Sequence, residues 1–182
     1  MNLGLLILRL VVGVLFMGHG AQKLFGSFGG AGIDGTAAFF EQAGLRPGRL
    51  HAWSAGLAEF GGGLLLALGL LSPFAAAALI GVMTAAIITV HVKNGVWATA
   101  QGYEYNLVLI AVAVAVSGVG AGAWSLDNAL NLDLAGTGWA VGALVAGVLG
   151  GVAAVLSGRM QGAAEQSPPA QSPPPAPEVP SA

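Results

Sequence analysis

The chain has 182 residues, of which 55% are hydrophobic and only 8% are charged. Soluble domains carry about 25% charged residues, so this composition excludes an ordinary soluble fold and indicates a multi-pass protein of the lipid bilayer. The net charge of −2 comes without a basic patch, which excludes nucleic-acid binding. The absence of cysteine excludes disulfides, zinc–thiolate sites and iron–sulfur clusters, and we expect no metal site.

Five apolar stretches are each long enough to cross a bilayer, which takes about 20 helical residues. In chain order they cover residues 3–24, 53–71, 73–92, 103–120 and 138–157. This pattern predicts an all-α integral membrane protein, with a four-helix transmembrane bundle followed by a fifth, C-terminal transmembrane helix.

The connections between these stretches are mostly short. After the first span, a helical pattern over residues 36–44 contains two phenylalanines and predicts a short helix at the membrane interface. Only Ser72 separates the second and third stretches, so these form an antiparallel hairpin, with Pro73 in the first turn of the third helix.

The C-terminal segment differs in composition from the rest, because most of the prolines of the chain fall there. Such a segment offers no apolar face, and we expect it to be disordered. The chain therefore divides into a four-helix membrane domain over 1–130, a linker and fifth helix over 131–158, and a proline-rich tail over 159–182.

Basic residues indicate the orientation, since cytoplasmic loops of membrane proteins carry an excess of Lys and Arg. Every Lys and Arg except Arg9 lies at one side of the membrane, the side that holds the first loop, residues 25–52. We call it the first-loop side. The bias places this side in the cytoplasm and predicts an N-out, C-in protein.

Four ionisable residues within the spans reach a similar depth near the first-loop side. At 1.5 Å of rise per residue, His19 and Glu59 lie about 7–9 Å from that end of their helices. His91 ends the third span and Glu104 begins the fourth. Because ionisable groups in lipid are costly and mark functional sites, we predict a catalytic pocket of Glu59, His19 and His91, with His19 as the partner of Glu59.

Other polar residues border this level or lie deeper in the membrane, and they are candidates for cofactor binding. They are Arg9, Gln22, Lys23, Asn94, Tyr103, Glu104 and Asn106. A plainer interpretation is open for Lys23, His91 and Glu104, whose side chains are within reach of the headgroups and can serve as interfacial anchors. Arg9 either extends towards the opposite surface or pairs with a carboxylate through water.

Small residues recur every fourth position along the fifth span. The stripe contains Gly138, Gly142, Ala146, Gly150, Ala154 and Gly158. Such a stripe permits close approach of another helix, either within the bundle or in a helix–helix oligomer.

Five segments of the chain resemble the bacterial DoxX family of small integral membrane proteins. They are LRLVVGVLFMGHGAQKLFG (8–26), AGLAEFGGGLLLALGLLSPFAA (55–76), TVHVKNGVW (89–97), GYEYNLVLI (102–110) and WSLDNAL (124–130). The resemblance covers residues 3–130 and leaves out the fifth span and the tail. It implies a DoxX-like four-helix core in a bacterial plasma (inner) membrane, with family polar positions at Arg9, His19, Gln22, Lys23, Glu59, His91, Asn94, Glu104 and Asn106.

The resemblance also implies a function, because some family members are linked to quinone- or sulfur-dependent electron transfer and to oxidative stress. It favours a membrane subunit of a redox complex, with quinone as the cofactor and a soluble redox or sulfurtransferase protein as the partner. Whether the chain is itself an enzyme stays open. A non-catalytic scaffold for soluble partners and a small proton-coupled transporter are the alternatives. Two histidines permit haem ligation, but no attachment motif is present and we do not expect haem.

The orientation gives a direct test. If the first-loop side is cytoplasmic, a C-terminal alkaline phosphatase fusion should be inactive, whereas a C-terminal fluorescent-protein fusion should be bright. The opposite pattern would show that either the orientation or the number of spans is wrong.

Overall fold

The structure is a computed structural model, and it describes residues 2–165. Within this range the chain is entirely helical, with no strand. The helices are α1 (Asn2–Phe25), α2 (Gly32–Gln42), α3 (Gly48–Leu68), α4 (Ser72–Ala86), α5 (Glu104–Val119), α6 (Leu126–Ala129) and α7 (Thr137–Glu165). The prediction of an all-α integral membrane protein is confirmed.

Each of the five predicted spans corresponds to one helix. Three helical segments of the described chain are long and apolar enough to cross a membrane, namely Asn2–Phe25, Ser72–Asn94 and Thr137–Ala164. The helix α5, with 16 residues, is apolar but shorter. The helix α3 is less apolar than α4 and α5, since it contains Arg49, His51 and Glu59.

The helices α1 and α3 pack together through glycines that are spaced seven residues apart. A Cβ atom on Gly13 would lie 2.6 Å from the carbonyl oxygen of Gly63, and one on Gly20 would lie 2.5 Å from the backbone nitrogen of Phe60. On α3, a Cβ atom at Gly56 would lie 2.7 Å from the Leu24 side chain. The two backbones are therefore in direct contact along most of their length, as small residues permit in membranes.

The helix α4 is the central helix of the bundle, since it packs against α3, α5 and α7. Leu79 and Ile80 are almost completely buried there. Near the first-loop side, α4 widens into a π-helical turn, Ile87–His91, and then tightens into a 3₁₀ turn, Val92–Asn94. Turns of this kind within α-helices are frequent at functional sites.

The fifth transmembrane helix, α7, joins the bundle through a different stripe from the predicted one. Gly147 lies against Ile80, and Gly151 lies against the carbonyl oxygen of Gly81 on α4. Of the predicted stripe, Gly158 is buried, whereas Gly138, Gly142, Ala146, Gly150 and Ala154 are exposed. Small residues occur on both faces of α7, so their spacing alone does not identify the face that packs in the bundle, and the approach of a helix from another copy to the exposed stripe stays a prediction.

Two predicted boundaries shift. The helix α2 begins at Gly32, four residues before the predicted start. The helix α7 continues to Glu165, so the first seven residues of the predicted tail, 159–165, are helical. The remainder of the predicted disordered tail, residues 166–182, lies outside the described residues.

The contact between α1 and α3 can be tested by adding one methyl group. We expect Gly20→Ala to lower the free energy of unfolding by about 1–3 kcal/mol, because the added carbon would overlap with the backbone of Phe60. The measurement is unfolding of the purified protein by titration with a denaturing detergent. The matched control is Gly18→Ala on the same helix, where a Cβ atom meets nothing within 4 Å. Equal stability of the two variants would contradict this packing.

Candidate functional site

A buried ion pair joins α1 and α3 inside the membrane. The Lys23 Nζ atom donates a hydrogen bond to Glu59 Oε2 at 2.6 Å. The Glu59 side chain is only 5% exposed and that of Lys23 is 25% exposed. The expectation that His19 is the direct partner of Glu59 is therefore corrected. His19 is close enough to interact electrostatically with the carboxylate, but Lys23 forms the bond.

The direction of helical side chains explains this partner. In an α-helix, side chains point back towards the N-terminus. The N-terminus of α1 lies at the far side of the membrane, so Lys23 extends inwards, whereas Glu59 on the antiparallel α3 extends towards the first-loop side. The two side chains thus extend in opposite directions along the membrane normal, and their charged groups meet at the same depth. An estimate from the depth of the Cα atoms alone does not include this effect.

The ion pair faces a cavity of about 470 Å³ between α1, α4 and α5. We call it the bundle cavity. Its polar lining consists of His19, Lys23, Glu59, His91, Gln101, Tyr105 and Asn106, and its apolar lining includes Phe16, Met83 and Leu109. The structure thus brings together all three predicted catalytic residues, with Lys23 and Asn106, around one cavity.

The loop between α4 and α5 covers the bundle cavity at the first-loop side. Gln101, which lines the cavity, accepts hydrogen bonds at its carbonyl oxygen, 2.8 Å from His91 Nδ1 and 3.2 Å from Asn94 Nδ2. The carboxylate of Glu104 accepts a hydrogen bond from the backbone nitrogen of Ala98 at 2.9 Å. Asn94 and Glu104 therefore hold this loop in place and do not line the cavity.

Two more predicted residues lie away from the cavity lining. Gln22 donates to the carbonyl oxygen of Phe28 at 3.4 Å and so contacts the first loop. Tyr103 precedes α5, and its neighbour Tyr105 lines the cavity instead. The sequence alone did not show which of the two tyrosines lines the cavity, because this depends on the residue at which α5 begins.

Arg9 belongs to a separate polar cluster at the opposite side of the membrane. It is 1% exposed, donates from Nη2 to the carbonyl oxygen of Trp124 and lies against Gly69. Its Nε and Nη1 atoms have no hydrogen-bond partner among the described residues. The Arg9 side chain therefore extends towards the loops at the opposite side of the membrane, where it is covered by protein.

Asp127 is the acidic member of this cluster, and its role was not predicted. Its carboxylate accepts hydrogen bonds from the backbone nitrogens of Leu71 and Ser72, at 2.7 and 3.1 Å, and from the Ser72 hydroxyl at 2.6 Å. It also interacts electrostatically with Arg9. This role could have been inferred from the segment 124–130. An aspartate there can accept hydrogen bonds from the free N–H groups at the start of α4.

The arrangement at the bundle cavity suits binding of an uncharged polar group. Lys23 and Glu59 neutralise each other, and imidazole and amide side chains supply both hydrogen-bond donors and acceptors. The cavity can thus orient a carbonyl or hydroxyl group and exchange protons with it.

A double-mutant cycle tests the ion pair. We expect Lys23→Met and Glu59→Gln each to lower the free energy of unfolding by about 3 kcal/mol, because each leaves a buried polar partner uncompensated. The double variant should lose less than the sum of the two. The measurement is again detergent-induced unfolding of the purified protein.

The matched control for this cycle is the ion pair of Arg49 and Asp34, whose atoms lie 3.4 Å apart and whose side chains are 70% and 85% exposed. Solvent screens such a pair, so Arg49→Met, Asp34→Asn and their combination should change stability little. Additive effects of Lys23→Met and Glu59→Gln would show that the two groups do not interact.

The family model of DoxX matches residues 4–92 of this chain. The match includes α1 to α4 with the glycine contacts, the ion pair and His91, and it ends before the segments 102–110 and 124–130 that also resemble the family. No curated protein and no solved structure matches the chain. The matched residues contain the ion pair and most of the bundle cavity, and the match supports membership of the chain in the DoxX family.

Proposed function

We propose that this membrane protein is a subunit of a redox complex and that its bundle cavity binds the headgroup of a lipid-soluble quinone. The observation that carries the proposal is the Lys23–Glu59 pair, which faces a 470 Å³ cavity inside the bundle together with His19 and His91. A concave, mostly apolar cavity with a few convergent polar groups is typical of small-molecule sites.

The residues of the cavity have separate roles in this proposal. Lys23 and Asn106 are the hydrogen-bond donors for the quinone carbonyl oxygens. His19 and His91 carry the protons, since reduction of a quinone to a quinol consumes two electrons and two protons. Glu59 holds Lys23 in position and compensates its charge.

The electrons have to come from a partner. The chain contains no cysteine, so sulfur chemistry requires another protein, and we propose a soluble redox or sulfurtransferase protein for this role. We further propose that the chain lies in the bacterial plasma membrane in the N-out, C-in orientation. The loop between α4 and α5 would then present the bundle cavity to a cytoplasmic partner.

A small proton-coupled transporter is the second candidate. It is favoured by the position of the ion pair, which lies within the membrane and lines two separate cavities. Buried ionisable residues of this kind mark ion and proton pathways. Acidification inside protein-containing vesicles, measured with a pH-sensitive dye, distinguishes transport from quinone binding.

The quinone proposal is tested by binding of a decyl-substituted benzoquinone to the full chain in lipid nanodiscs, measured by calorimetry. We expect His19→Leu and Glu59→Gln to weaken binding about tenfold or more, which corresponds to about 1.4 kcal/mol. The control is Arg49→Gln on the exposed first turn of α3. Equal affinities of all three variants, measured below the unfolding temperature of the least stable one, would contradict the proposal.

A further inference from the structure

A second cavity of about 510 Å³ lies on the other side of the ion pair, between α3 and α7 and over α4. We call it the lateral groove. Half of its lining residues are alanine or glycine, including Ala55, Ala58, Gly81, Ala85, Gly147 and Gly151. These small side chains leave room for an apolar chain alongside the helices, and α7, which supplies one wall, lies beyond the residues matched by the family model.

The polar groups of the lateral groove gather at its end near the first-loop side. Ser54 and Thr89 donate their hydroxyl groups to carbonyl oxygens one turn earlier in their own helices, Leu50 and Ala85. Lys23 and Glu59 pair with each other, and His91 bonds to the α4–α5 loop. These groups already have partners within the protein.

His51 differs from the other polar residues of this end. It lines the lateral groove and is 8% exposed, and its Nε2 atom has no hydrogen-bond partner among the described residues. The ring lies against Gly158 of α7, where a Cβ atom would be 2.7 Å from Nε2. A buried ring nitrogen without a partner is unfavourable. Nε2 is covered by α7 in this structure, so a ligand group would reach a ring nitrogen once the ring turns towards the groove, and the bond would remove that cost.

We propose that the lateral groove binds a neutral, membrane-soluble molecule that consists of one apolar chain and a terminal hydroxyl or carbonyl group. The chain lies over α4 between α3 and α7, and the terminal group bonds to the His51 ring. A neutral head fits because the two opposite charges at this end, Lys23 and Glu59, compensate each other. The site lies beyond the quinone site proposed above and does not depend on it.

The probe for this site is a photoactivatable, clickable analogue of hexadecanol, added to the full chain in nanodiscs. We expect cross-linking to peptides of α3, α4 and α7. Gly150 lines the lateral groove, and a Cβ atom there meets nothing within 4 Å, so the leucine of Gly150→Leu fits the fold and fills the groove. Labelling should fall about tenfold, which corresponds to about 1.4 kcal/mol.

The matched control is Gly142→Leu, an exposed position of the same helix that also has nothing within 4 Å and does not line the groove. It should label like the unmodified chain. His51→Phe, which keeps a ring and removes both nitrogens, should reduce labelling without filling the groove. Equal labelling of Gly150→Leu and Gly142→Leu would overturn the site, and equal labelling of His51→Phe and the unmodified chain would overturn the role of His51.

Competition identifies the natural source of the ligand. A decyl-substituted benzoquinone offers a carbonyl head and a monoacylglycerol offers a hydroxyl head, and competition by either supports the proposal. Hexadecane that competes as well as hexadecanol would overturn the requirement for a polar head. His19 lines only the bundle cavity, so His19→Leu should keep hexadecanol labelling even where quinone binding is lost, which separates the two proposals.

Discussion

The ion pair between Lys23 and Glu59 is the constraint on which the membrane core of this protein depends. In lipid no water is present to solvate either charge, and an isolated buried charge is far more costly than a paired one. The pair therefore fixes the relative position of α1 and α3. The glycine contacts make this possible, since Gly20 and Gly56 bring the two backbones close enough for the side chains to meet at 2.6 Å.

A second polar cluster fixes the other end of the bundle by different means. Asp127 satisfies the backbone nitrogens at the start of α4, while Arg9 bonds to the carbonyl oxygen of Trp124. The segment after α5 is thereby attached both to the α3–α4 hairpin and to α1. Because the cluster uses backbone groups as well as charges, it behaves as a structural connection, whereas the ion pair at the other end faces two cavities.

The helices were predictable because lipid imposes a length and a composition on any segment that crosses it. The depth of His19, Glu59 and His91 followed from the helical rise, and the structure places all three around one cavity. The partner of Glu59 was not predictable from depth, since it depends on the direction of two long side chains. The contacts of Asn94 and Glu104 were not predictable for a related reason, because the fold of the α4–α5 loop directs their side chains to backbone groups.

The arrangement of the two cavities has a consequence for how they can act together. Lys23, Glu59 and His91 line both the bundle cavity and the lateral groove, so these side chains form a shared wall. A ligand that displaces Lys23 or Glu59 in one cavity must change the wall of the other and must also disturb the contact between α1 and α3. If both cavities bind ligands as proposed, a ligand that moves this ion pair would change the affinity of the other cavity, and by thermodynamic linkage the effect would be equal in both directions.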